Sequence, residues 1–271
     1  DRTTGTPTLT LNGATLSVRE SLTGNTNINI RGTSNIQLRG TSSATTTTLT
    51  TLSGNPITNN VYVDSPGIVN VLGLSILSNN NIFKYISGSL SITNFTIQPN
   101  NSNFTYDNSA NTLINSTALT VNGNNSMTFS SVYPLNTNIL NINGGPGSTT
   151  TNYSIYGGFS CSSFNSVNAN ANGVLTILLS PTSSYYINNS FVSNSYSSLT
   201  RTEIKSTTST NVPLIVSYNA TQSIFDTYFT NINASGGATI LPYYKLASIT
   251  NTSNILDLKS WYIQTNQIQF N

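Results

Sequence analysis

The chain has no histidine, and only 6% of its 271 residues are charged. An average soluble protein is about 25% charged. It has one cysteine, one methionine and one tryptophan. These absences remove chemistry class by class. General acid–base catalysis mostly uses histidine or a matched pair of carboxylates. The acids are Asp1, Glu20, Asp64, Asp107, Glu203, Asp226 and Asp257, and they are scattered singly along the chain. Serine and threonine nucleophiles abound, but no base accompanies them in sequence. The lysines, Lys84, Lys205, Lys245 and Lys259, sit in no motif. The reading is a protein that is not an enzyme, with no catalytic residues and no cofactor.

Metal and phosphate sites are equally poor. Zinc requires clustered cysteine or histidine. Calcium requires several oxygen ligands, usually with clustered carboxylates. Asp107 lies in the Asn-rich stretch 100–111, which reads as a loop. No metal site is expected, and no Walker or dinucleotide motif occurs. Cys161 has no partner for an intrachain disulfide and reads as a small buried hydrophobe.

The net charge is +2, from nine basic and seven acidic residues. That is too little and too dispersed for nucleic acid, which takes clustered Lys and Arg. Arg19, Arg31 and Arg39 come nearest to a basic group and read as solvated edge residues. No apolar run approaches the roughly 18 residues of a membrane span, so none is expected. The chain opens at Asp1 without methionine or a visible leader. The expectation is a secreted, extracellular or cell-surface protein whose leader has been removed.

What the chain does hold is 42 Asn, 40 Ser and 42 Thr, with 14 Tyr and 10 Phe among aliphatic residues spread along its length. Disorder is the first alternative for so polar a composition. The apolar alternation argues against it. Period-two runs recur at 8–11, 90–92, 119–121, 174–177 and 267–270, rich in β-branched residues and bounded by Asn, Ser, Gly and Thr. Such runs mark half-buried strands. The best helical segment, 223–229, is poor.

The Asn12-Gly13 pair between 8–11 and 14–18 predicts a hairpin with a type I′ turn. A tandem repeat follows at 28–35 and 36–43, each copy a strand plus a turn, and then a Thr-rich extended stretch at 44–51. Gly and Pro concentrate at 143–152, which reads as a linker. The expected organisation is an N-terminal strand or hairpin at 1–20, a β domain at 21–142, the linker at 143–152 and a second β domain at 153–271. The expected fold is all-β, two antiparallel β-sandwich (Ig-like) domains. The alternative is a right-handed parallel β-helix, a flavour strongest over 67–129. Triplets resembling Leu-Ser/Thr-Ile/Val start at 9, 16, 74, 90, 119 and 175. A β-helix should repeat near a fixed period. That irregular spacing favours sandwiches.

Few charges also mean few groups whose titration alters stability, so acid tolerance is expected. At low pH the net charge would still climb to about +10. A charge-poor surface leaves sheet edges open to strand addition between molecules. Thr8, Leu9, Thr10 and Leu11 alternate near a free end and are the candidate donor strand. N-glycosylation sequons start at Asn94, Asn100, Asn103, Asn115, Asn124, Asn152, Asn188, Asn219, Asn233 and Asn251.

The Asn/Ser/Thr/Tyr-rich, charge-poor, all-β character resembles secreted surface proteins of heat- and acid-loving archaea. It is most similar to subunits of extracellular thread-like filaments assembled by donor-strand exchange and coated with glycans. The resemblance covers the chain in composition only. It implies an N-terminal donor strand, glycosylated sequons, and other copies of the same chain as partners in a homopolymer. Two other readings compete. One is a virion surface or fibre protein built as a β-helix. The other is a carbohydrate-binding adhesin with Tyr185, Tyr186, Tyr243 and Tyr244 as stacking platforms.

Overall fold

The computed structural model describes residues 8–10, 15–19, 21–23, 29–31, 35–40, 42, 46–50, 56–107, 116–123, 125–145, 150–169, 173–195, 200–242 and 249–256. All regular structure among them is β. In chain order the strands are β1 (Thr8–Thr10), β2 (Leu16–Val18), β3 (Ser21–Thr23), β4 (Asn29–Arg31), β5 (Asn35–Leu38), β6 (Thr46–Thr50), β7 (Asn60–Leu77) and β8 (Asn81–Gln98). Then come β9 (Ser102–Asp107), β10 (Ser116–Gly123), β11 (Met127–Ser131), β12 (Leu135–Gly144), β13 (Thr151–Tyr156), β14 (Phe159–Asn168), β15 (Val174–Leu179) and β16 (Tyr185–Ser195). The last are β17 (Arg201–Ser206), β18 (Val212–Val216), β19 (Thr221–Ile224), β20 (Thr227–Thr230), β21 (Ile232–Asn233) and β22 (Ile249–Thr250).

Every pairing among them is parallel, and the chain forms a β-solenoid of about 8 turns. The two antiparallel Ig-like sandwiches are therefore overturned, and the parallel β-helix fits. The rungs stack into three ladders. The first runs through β2, β5, the starts of β7 and β8, then β9, β11, β13, β15, β17, β20 and β22. The second uses β3, β6, the middles of β7 and β8, the starts of β10, β12, β14 and β16, then β18 and β21. The third uses the later parts of β7, β8, β10, β12, β14 and β16, then β19. β7 and β8, 18 residues each, pass through all three.

Alternation fixes which residues enter the core. β11 and β18 both alternate buried and half-buried positions along their lengths. Since each strand lies one rung from its partner in register, like positions stack. Leu74, Phe95, Leu119, Leu140, Phe164 and Phe191 form one such column, all at 3% exposure or less. Burying each such side chain contributes roughly 1.5–3 kcal/mol. Rings then meet between successive turns of a column: Phe159 and Tyr185 lie 5.0 Å apart, Phe164 and Phe191 5.4 Å.

Asparagine makes the corners. Asn80 and Asn101 adopt positive φ, 54° and 52°. Asn tolerates this region because its short polar side chain bonds locally. Here the amide oxygens reach the next turn: Asn80 Oδ1 accepts from the Asn103 N–H, and Asn101 Oδ1 from the Ser126 N–H at 3.0 Å. Asn60 and Asn143 serve the Ile82 and Val167 amides likewise. Part of the asparagine excess thus satisfies backbone amides between turns.

Several local expectations change. The hairpin at 8–18 is not formed: β1 pairs with β4, and β2 with β5, both parallel. Asn12 and Gly13 lie outside the described residues. The two tandem copies do not stack on each other, since β4 joins β1 while β5 joins β2 and β7. The segment 223–229 is not helical; it ends β19 and starts β20, with Asp226 at φ 46° between them. Around 143–152, Gly144 ends β12 and Thr151 begins β13, and β12 pairs directly with β14 across this stretch.

Candidate functional site

The interior is filled, so candidate sites lie outside. The third ladder presents Thr120, Asn141 and Asn165 on successive rungs, with Asn165 Nδ2 donating to Asn141 Oδ1 and Asn141 Nδ2 to Thr120 Oγ1. The first ladder carries an open groove of about 220 Å³ lined by Asn101, Ser102, Asn103, Ser126, Thr128, Asn152 and Ser154. A wider cleft of about 870 Å³ near the C-terminal turns is lined by Tyr218, Gln222, Ser235, Thr239 and Asn254, among others. Tyr218 is 77% exposed. Hydroxyls and amides beside an exposed ring suit neutral, hydrogen-bonding ligands such as sugars.

Charge is arranged locally. Arg201, Glu203 and Lys205 alternate on β17, so all three project from one face. Glu203 Oε1 meets Arg201 at 2.7 Å, and Oε2 meets Lys205 at 3.0 Å. Burial raises the Glu203 carboxyl, but the bonds from Lys205 and Arg201 outweigh it and hold the group below its ordinary value. The Arg201 guanidinium also lies 5.2 Å from the Tyr228 ring centre. Asp107, expected in a loop, ends β9 and pairs with Lys84 at 2.9 Å. Among the described residues no three His, Cys, Asp or Glu side chains group to hold a metal.

The sequon asparagines distribute unevenly. Asn94, Asn100, Asn103, Asn152, Asn188, Asn219 and Asn251 are exposed, and Asn233 is half-buried. Asn251 Nδ2 already donates to Asn211 and Asn231. Asn233 Oδ1 accepts from the Ser235 N–H and Ser253 Oγ. Asn115 and Asn124 lie outside the described residues. Of the candidate donor strand, Thr8, Leu9 and Thr10 form β1 and pair with Asn29, Ile30 and Arg31 of the same chain. Leu11 lies outside the described residues.

Of the four tyrosines, Tyr185 is fully buried and cannot be a platform, while Tyr186 is 42% exposed. Tyr243 and Tyr244 lie outside the described residues. Tyr185 accepts from the Ser180 N–H at 2.8 Å and donates to the Ile155 carbonyl at 2.9 Å; burial pushes its hydroxyl up to about 12. Cys161 is buried, and burial pushes its thiol up to about 12, an inert environment for a nucleophile. Sequence reasoning missed the exposed Tyr218 beside Gln222 and Asn254, because only the turn geometry brings 218, 222, 239 and 254 together.

No family model, curated protein or solved structure matches the chain.

Proposed function

We propose that this chain is a rod-like, non-enzymatic surface protein, a fibre displayed on a virion or cell exterior that contacts carbohydrate. The observation that carries this reading is the parallel ladder itself, which continues turn after turn from Leu16 to Thr250. Such an architecture is quasi-one-dimensional and offers a long repeating exterior. The hydroxyl- and amide-lined clefts supply hydrogen-bonding partners for sugars. The missing histidine and scarce carboxylates support a non-catalytic role.

Polymerisation by a donor strand at 8–11 is less favoured by this geometry. β1 already pairs with β4, so donation to another molecule would have to break that pairing first. The testing experiment is electron microscopy with antibody labelling of the native source material. The expected result is label on slender projections or fibres at the outer surface. Label confined to the interior of cells or particles would overturn the reading.

A further inference from the structure

Arg19 and Arg39 follow β2 and β5, which pair in register through Val18 and Leu38. The Arg39 N–H donates to the Val18 carbonyl at 2.8 Å, so both arginines leave the first ladder at the same corner on adjacent turns. Adjacent strands lie only about 4.8 Å apart. Both residues are exposed and, with Gly40 and Pro66, line an open cleft of about 430 Å³.

Two guanidinium groups carried from one corner on adjacent turns repel each other unless an anion lies between them. Among the described residues neither takes part in an ion pair. Elsewhere the chain does pair its cations: Arg201 and Lys205 share Glu203, and Lys84 meets Asp107. Among the described residues the acid nearest in register is Asp64, one position beyond Val63, the partner of Leu38. Its oxygens are engaged elsewhere: Oδ1 accepts from Ser87 Oγ at 2.9 Å and Oδ2 from Gln37 Nε2 at 3.3 Å. The cleft's backbone is held in place, since the Gly40 and Gly67 N–H groups both donate to the buried Ser65 Oγ.

We propose that this cleft binds an oxyanion, a carboxylate or sulfate group, presented on an acidic saccharide. A guanidinium fork matches either group with two parallel hydrogen bonds. The cleft volume accommodates one sugar ring and lies in the range of ligand sites. The saccharide part rests on the surface-fibre reading; the oxyanion part does not.

The test is calorimetric titration of the full chain, at low ionic strength, with glucuronate, glucose 6-sulfate and glucose. Saturable binding of either anion is expected, and which one binds identifies the group. Glucose should not bind at the same concentrations. R19Q and R39Q should each weaken binding about tenfold or more, with circular dichroism confirming the fold. R39K should also weaken it, since an ammonium cannot supply the fork. If a variant does not fold, raising salt on the wild-type chain must weaken binding instead. No saturation by either anion, equal binding of glucose, or indifference to both the arginines and salt would overturn the proposal. Loss of this site leaves surface labelling of the fibre untouched, so the two readings fail separately.

Discussion

Asn165 on β14 lies one rung from Asn141 on β12, and its Nδ2 donates to Asn141 Oδ1 at 3.0 Å. Asn141 passes the bond on to Thr120 at 3.1 Å. N165D removes the donor and sets acceptor against acceptor. The expected cost is about 1 kcal/mol, and more if Asn141 is left unpaired. Urea denaturation measures it; an unchanged midpoint would show that the amide column does not stabilise the fold.

Phe191 is fully buried between Phe164 and Phe229, with ring centres 5.4 and 6.3 Å away. F191A should cost about 3–5 kcal/mol, because neighbouring rungs cannot close the cavity. F191L should cost much less. Equal losses for both would point away from cavity formation.

Alkali should destabilise the chain. Burial holds Tyr185 and Cys161 up at about 12 and pushes Tyr106 and Tyr153 higher still. In the unfolded chain these groups ionise near 10 for tyrosine and 9.0 for cysteine. Folded pKa values above the unfolded ones mean the contribution is intact below pH 9 and lost as pH rises through 10 toward 12. Thermal unfolding across pH 7 to 12 should show that decline. Thiol reagents should meanwhile label Cys161 only as the protein unfolds.

Acid should do little until low pH. The Glu203 carboxyl is held below its ordinary value, by Lys205 and Arg201 against the opposing effect of burial. A lowered folded value means its contribution is present above the ordinary 4.5 and is lost only as pH falls further, through the folded value. The melting temperature should stay nearly level from pH 7 to about 5. E203Q should flatten what decline remains. A steep fall above pH 5 in the wild-type chain would contradict this account.

Glycan occupancy should follow amide geometry. Asn103 and Asn152 are exposed beside the open first-ladder groove, whereas Asn251 uses its Nδ2 for two bonds to other asparagines. In a glycosylating expression host, mass spectrometry should find sugar at Asn103 or Asn152 in preference to Asn251 and Asn233. The reverse order would show that these side-chain bonds do not control access.

The strands were legible in the sequence, and their arrangement was not. Alternation at 90–92, 119–121 and 174–177 marks real strands, because burial on one face imposes period two whatever the partner. Parallel or antiparallel pairing leaves the same local trace. The triplets at 74, 90, 119 and 175 looked aperiodic because they sit on different ladders. Leu74 and Leu119 share a column through Phe95, whereas Leu90 is on the second ladder and Leu175 on the first. Along the column Leu74, Phe95, Leu119, Leu140, Phe164, Phe191 and Gln222 the chain length per turn varies from 21 to 31 residues, so the repeat keeps no fixed period. Asn12-Gly13 misled because its hairpin signal is local, whereas β2 is claimed by β5. Of the exposed sites, Arg19 and Arg39 were visible as charges, but only register shows that they leave one corner on adjacent turns and line one cleft.

All the pairings of the described strands are parallel, and their spacing along the rod is set by backbone hydrogen bonding, about 4.8 Å. This is the same spacing that gives amyloid its meridional reflection. An aligned preparation of the native folded protein should therefore give the same reflection as a cross-β fibre. For material containing this chain, such a reflection identifies the native fold as readily as it identifies an aggregate.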